Sequence, residues 1–118
     1  MGILVSLFDN FTASLVSKDL DKLMDLFTED SSYSVYAEGF EPVFGKQAIR
    51  AFSESEFEKF ENYSVEKLFV CEDENCIVVE WLVKYKKLEL NKMVESRGVT
   101  IIESKQGLIQ NIREYIKS

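Results

Sequence analysis

The sequence predicts an α+β domain, helices first and an antiparallel meander second, and three observations predict it. Apolar residues recur every three or four positions in the earlier part of the chain. From Tyr63 onward they recur every second position, and short polar or turn-forming clusters punctuate that second pattern. Helical segments followed by a run of strands are the signature of this class. At 118 residues, with 46% hydrophobic and 13% aromatic content, the chain is read as one domain over 1–118 with enough apolar material for a real core.

The elements follow in order. Ile3, Leu4, Leu7, Phe8, Phe11 and Leu15 form one stripe of an amphipathic helix that runs to about Val16, with Ser6, Asp9, Asn10 and Ser14 opposite. Ser17 is read as the N-cap of a shorter second helix in which Leu20, Leu23, Met24 and Phe27 face inward. Asp19 and Asp21 sit in its first turn, where the helix dipole favours acids. The polar stretch 28–32 is expected to break the pattern, and 33–37 then alternates as a short strand. Gly39 and Pro42 mark an irregular connection. A third helix begins after Gly45, regular over 46–52 and less so to Phe57 and Phe60. The meander has strands at 63–71, 76–87, 94–104 and 108–117, with turns at 72–75, 88–93 and 105–107.

Faces follow from the register. If Cys71 faces Cys76 across the first turn, Phe69 faces Val78, and Lys67 faces Glu80 as a cross-strand ion pair. The opposite face then carries Leu68, Val70, Ile77, Val79, Trp81, Val83 and Tyr85, which the helices must cover. The outer face gathers Phe69, Val78, Leu82, Val99, Ile101, Ile109 and Tyr115, with Arg97 among them. That is too much apolar surface to leave wet, and it predicts a homodimer through the outer sheet face.

On the same alternation the inner pocket is lined by Tyr33, Val35, Trp81, Tyr85, Thr100, Gln110, Ile112 and Glu114, with Phe11, Met24 and Phe52 from the helices. An apolar cleft with a few converging polar groups is the usual form of a small-molecule site. A carboxylate there has its pKa raised by desolvation, which makes Glu114 a candidate acid or base; at the open end of the barrel it would instead be simply solvated. Trp81 and Tyr85 fit a ligand-stacking wall and equally fit plain core.

Composition excludes several function classes. The net charge of −7 argues against nucleic acid as a partner, since phosphate binding needs clustered Lys and Arg. No apolar run reaches the length of a bilayer span and no secretory signal is evident, so no membrane association and a cytoplasmic location are expected. Residues 1–6 fit a loose myristoylation pattern, although the same apolar residues open the first helix. The chain has no His, which rules out imidazole-based triads and His-ligated zinc. No Gly-rich phosphate loop or carboxylate cluster with metal spacing occurs, so neither a cofactor nor a metal is expected. Cys71 and Cys76 are read as reduced thiols, a disulfide being geometrically conceivable.

The order of elements resembles a known superfamily. A helix, Ser17-Lys-Asp-Leu-Asp21, a helix ending in Leu26-Phe-Thr-Glu-Asp30, a short strand, Gly45-Lys-Gln-Ala-Ile-Arg-Ala-Phe52 and a long meander ending in Arg113-Glu-Tyr-Ile116 resemble the SnoaL-like branch of the nuclear transport factor 2-like superfamily, over essentially the whole chain. The resemblance implies a cone-shaped barrel, three N-terminal helices packed on a strongly curved, mostly antiparallel sheet around a pocket. The chain departs from the branch at Lys18, where Gly is common, and at Lys117, near which a terminal Asp is usual.

Relatives include ketosteroid isomerases, limonene epoxide hydrolases, polyketide cyclases and non-catalytic proteins, so residues must decide function. Against the isomerase pattern the general-base Asp falls at Val35 or Tyr36, the oxyanion Tyr at Phe11 and the protonated Asp near Gly98. Base and acid are both missing, which excludes that activity. Against the epoxide hydrolase pattern the water-positioning Tyr matches Tyr33 and the base matches Glu114. The Asn becomes Val35, and the Arg and second Asp fall near Gly98 and Thr100, leaving no acid for the departing oxygen. The resulting expectation is a domain that binds a small, largely apolar molecule. Its candidate chemistry is cofactor-free hydrolysis, isomerisation or cyclisation, with Glu114 as base and Tyr33 positioning water or substrate. The other reading is a non-catalytic homodimeric module with a filled pocket.

Overall fold

The computed structural model describes residues 2–37 and 40–117; Met1 of the myristoylation pattern and Gly39 of the irregular connection lie outside the described residues. Helix α1 (Ile3–Ser17) buries Leu4, Leu7, Phe8 and Phe11 of the apolar stripe, together with Ser14, expected on the polar face, whereas Ile3 of the stripe is 78% exposed. It ends at Lys18, whose backbone is left-handed at φ 56° and ψ 38°. That conformation costs a residue with a Cβ roughly 1–2 kcal/mol, which explains why Gly suits this position. Here the side chain offers compensation: Lys18 Nζ donates to the Phe60 carbonyl and stands 5.0 Å from the Phe60 ring centroid.

Helix α2 (Leu20–Met24) corrects two expectations. Its cap is Asp19, whose Oδ1 accepts from the Lys22 N–H at 3.1 Å, whereas Ser17 still belongs to α1. Phe27 is not helical; it opens strand β1 (Phe27–Tyr36), where it is fully buried. The polar stretch 28–32 therefore lies inside β1, but as an irregularity: Phe27 pairs with Ile109 and Ser32 with Asn111. Strand β2 (Val43–Phe44) adds a short edge, and α3 (Lys46–Phe57) follows Gly45, whose φ of 89° is open to glycine at no steric cost.

Strands β3 (Phe60–Glu72), β4 (Cys76–Lys87), β5 (Lys92–Lys105) and β6 (Leu108–Lys117) form the meander. The six strands make one sheet in the order β2-β1-β6-β5-β4-β3, antiparallel except for the β1–β6 pair. α1 lies against β3 and β4, and α3 against β1 and β2, so the helices cover one face of a curved sheet.

The expected register of the first hairpin is off. Cys71 faces Val78, Phe69 faces Glu80, and a bulge at Leu68 turns the strand before Lys67, which faces Trp81. Lys67 consequently reaches over the sheet edge and pairs with Asp9 of α1 at 2.8 Å, not with Glu80. The two cysteines do not oppose each other and are free thiols; burial, then the nearby Asp73 and Glu103, pushes the Cys76 thiol up. A second bulge, between Glu103 and Ser104 opposite Gln110, brings both Ile109 and Ile112 into the core, so Ile109 is not an outer-face residue. On β4 the expected alternation holds, with Ile77, Val79, Trp81 and Val83 buried. Among the described residues no helix is long and apolar enough to cross a membrane.

Candidate active site

The inner wall of the sheet is largely apolar, and one connected row of polar side chains crosses four neighbouring strands; the buried Ser31 and Ser96 stand apart from it. Trp81 on β4 donates its indole N–H to Thr100 Oγ1 on β5 at 2.7 Å. Thr100 donates to Glu114 Oε2 on β6 at 2.9 Å, and Tyr33 on β1 donates its hydroxyl to Glu114 Oε1 at 2.8 Å. Registry brings the row about: Thr100 stands opposite Glu114, Val35 stands on the other side of Glu114, and Tyr33 is two residues before Val35 on the same face. A one-residue slip in any of these strands would turn its member of the row to the outside.

Burial sets the electrostatics. Tyr33, Trp81 and Thr100 are all buried, and the rings of Phe11, Phe27 and Phe52 surround Tyr33 at centroid distances of 5.6–6.3 Å. Desolvation pushes the Glu114 carboxyl above the usual range, while the hydrogen bonds from Tyr33 and Thr100 pull part of that shift back. Burial and then the neighbouring Glu114 charge push the Tyr33 hydroxyl far up, so it stays protonated and serves as a donor. Tyr63 is raised by the same two causes in the same order, which places it within the field of Glu114. A carboxylate held by two neutral hydroxyls keeps its basicity in a way that one neutralised by an Arg does not.

The space beside this row is small. A cavity between α1 and the sheet is walled by Phe8, Phe11, Leu15, Tyr63, Val65 and Trp81, with Thr100 and Glu114 at its polar end. Its volume of ≈ 10 Å³ is room for about one water molecule. Each carboxylate oxygen has a further lone pair after accepting from Tyr33 or Thr100, so Glu114 retains the capacity to accept from a water there.

The predicted residues divide accordingly. Phe11, Trp81, Thr100 and Glu114 line the cavity, and Tyr33 reaches Glu114 from beside it. Phe52 packs on Tyr33 at 5.6 Å, Val35 is partly buried next to Glu114, and Ile112 and Met24 are core. Tyr85 does not join the site: it stacks with Tyr63 at 5.9 Å and meets Phe60 at 6.1 Å, farther along the sheet. Gln110 leaves it altogether, because the bulge turns it to Asp30 and Thr28, where its Nε2 donates to Asp30 Oδ1 at 3.2 Å. Tyr63, like Phe8, Leu15 and Val65, lines the cavity without being among the predicted pocket residues; it opens the β-period region, and its alternation with Val65 is the available signal.

Three helices on one side of a bent, mostly antiparallel six-stranded sheet are the architecture of the nuclear transport factor 2-like class of cone folds. Solved structures share the architecture across nearly the whole chain. A protein of ketosteroid isomerase-like fold from Catenulispora acidiphila, solved in complex with trimethylamine, is 16% identical with a TM-score of 0.82, over 92% of this chain and 83% of that one. An LEH-like epoxide hydrolase from M. tuberculosis is 16% identical with a TM-score of 0.82, over 98% and 83%. An NTF2-like protein from Burkholderia xenovorans is 19% identical with a TM-score of 0.77, over 96% and 88%. Within that class the chain belongs to the SnoaL-like domain family, matched over residues 8–112. No curated protein sequence matches it.

Proposed function

We propose that this SnoaL-like domain binds a small, largely apolar molecule between α1 and the inner wall of the sheet, and that Glu114 acts on it as a general base without a cofactor. The observation that carries this reading is the partly desolvated Glu114 carboxylate, held by Tyr33 and Thr100, at the edge of a mainly apolar cavity of one-water size that Thr12 and Tyr63 also line. In the hydrolytic form of the reaction Glu114 takes a proton from that water as its oxygen attacks the substrate. Tyr33 holds the carboxylate in place, and the protonated Glu114 is the carrier that returns a proton to the product oxygen. Isomerase chemistry of the ketosteroid type is disfavoured by Gly98, which has no side chain to hold an oxyanion. The room a side chain would need there is taken, since a Cβ at Gly98 would fall 2.6 Å from Trp81 Cη2. Substrate entry requires α1 to move away from β3, because the cavity is far below the several hundred Å³ of a ligand-filled site.

The same small volume supports a second reading, a non-catalytic homodimeric module with a filled cone. Phe69, Tyr36 and Tyr115 are 58%, 50% and 43% exposed on the outer sheet face, and Tyr36 stacks on Tyr115 at 4.6 Å, an apolar surface that suits a second copy of the chain. Native mass spectrometry from gentle to denaturing conditions, followed by turnover assays on small alicyclic epoxides, esters and ketones, separates the two. A retained small mass, or turnover that Glu114→Gln abolishes with folding intact, supports the first reading. Turnover unchanged in Glu114→Gln overturns the role of Glu114, and a dimer with nothing bound and no turnover favours the second.

A further inference from the structure

Glu114 is tied through a single hydroxyl to an indole that never touches it. An indole nitrogen can only donate, so in the 2.7 Å contact Thr100 Oγ1 is the acceptor. Thr100 has one proton of its own, and Glu114 Oε2 at 2.9 Å is where it goes. The order of donation along the row is therefore fixed from Trp81 to Thr100 to Glu114. The arrangement depends on Gly98, which stands opposite Trp81 and lets the indole lie across it. A Cβ at that position would fall 2.6 Å from Trp81 Cη2 and 2.4 Å from the Tyr115 backbone oxygen.

We propose that Trp81 is a positioning residue for the Glu114 carboxylate: by fixing which way Thr100 points its proton, the indole keeps Oε2 an acceptor and confines the proton traffic of Glu114 to the cavity side. The proposal rests on the reading of Glu114 as the proton acceptor of the site. A proton arriving on the Oε2 lone pair that Thr100 occupies would meet the Thr100 proton head-on. Thr100 would then have to turn away and leave its own proton without an acceptor in a buried setting, a costly outcome. With Tyr33 making the same demand at Oε1, the lone pairs that face the cavity are the ones free to exchange. Trp81 would thus act on chemistry it does not contact, and Gly98 would be part of the same device.

The test uses the fact that the chain has one Trp, so the indole N–H gives a single resonance. In protein labelled with ¹⁵N at Trp and ¹³C at the Glu carboxyls, both signals are followed from about pH 3 to about pH 10, a span that brackets any plausible carboxyl midpoint. In the wild type the indole resonance should move with the same midpoint as the Glu114 carbon. In Thr100→Val the indole should stay still while the Glu114 midpoint moves upward, and Thr100→Ser should restore both behaviours. The proposal is overturned by an indole that is static while Glu114 titrates, by one that still follows Glu114 in Thr100→Val, or by a Glu114 that does not titrate in the folded protein. Should Thr100→Val not fold, Trp81→Phe replaces it: an upward shift of the Glu114 midpoint supports the relay and an unchanged midpoint overturns it. None of these readouts needs turnover. Turnover unchanged in Glu114→Gln, with the coupled titration of the wild type intact, would sink the catalytic reading and leave the relay standing.

Discussion

The two faces of the β5–β6 hairpin hold their carboxylates in opposite ways. On the inner face Glu114 is bound by the hydroxyls of Tyr33 and Thr100, with no cation paired to it among the described residues; on the outer face Glu103 is bound by the Arg113 guanidinium at 2.6 Å. The outer pair is a partly exposed ion bridge whose energy water and salt dilute. The inner carboxylate has neutral partners and sits where desolvation raises its proton affinity. Neutral donors in a dry place leave a carboxylate with a raised proton affinity, and an opposing charge in a wet place does not, so the hairpin separates a desolvated carboxylate from an ion-paired one by facing alone.

The comparison can be broken by changing either face, and the inner changes should be the larger. Phe11→Ala, which empties the wall beside Tyr33, should cost about 3–5 kcal/mol in chemical denaturation. Gly98→Ala should cost about 1–3 kcal/mol, because the backbone oxygen of Tyr115 cannot yield as a flexible side chain would. Tyr33→Phe removes one of the two donors to Glu114 and should cost about 1–3 kcal/mol near neutral pH.

That cost has a pH signature, and its sign follows from the raised Glu114 pKa. Folded Glu114 keeps its proton to higher pH than the unfolded chain does, so its contribution is fully present below the ordinary carboxyl value and is lost as pH rises through the folded value. Tyr33→Phe lifts the folded value further, and its penalty should shrink toward pH ~3, where the carboxyl is protonated in both states. Glu114→Gln removes the titration, so the variant should gain on the wild type as pH rises from about 4 to 8 in urea midpoints; parallel curves would show that Glu114 is not desolvated. Arg113→Ala should cost less than about 1 kcal/mol and should lose even that in high salt.

The sequence was informative about faces and silent about registers. The α1 stripe, the inward set on β4 and the pair Tyr33 and Glu114 follow from periods of 3.6 and 2, which side-chain chemistry displays openly. The bulges at Leu68 and opposite Gln110 insert a residue without changing composition, so Lys67 turned to Asp9, Ile109 to the core and Gln110 to Asp30. The cap moved from Ser17 to Asp19 because Lys18 adopts the left-handed conformation, a choice its residue type does not announce. The volume of the cavity was illegible for a different reason: it is the remainder left by side chains from α1 and four strands, and no local pattern encodes a remainder.

The parallel pairing of β1 with β6 has a kinetic consequence. Tyr33 and Glu114 are 81 positions apart in sequence, whereas Thr100 and Glu114 are 14 apart in one hairpin. The hairpin contact closes a short loop and is entropically cheap, but the Tyr33 contact waits until nearly the whole chain has collapsed. During refolding Glu114 should therefore pass through a stage with Thr100 in place and Tyr33 absent, and the change in its proton affinity would time the arrival of the first strand.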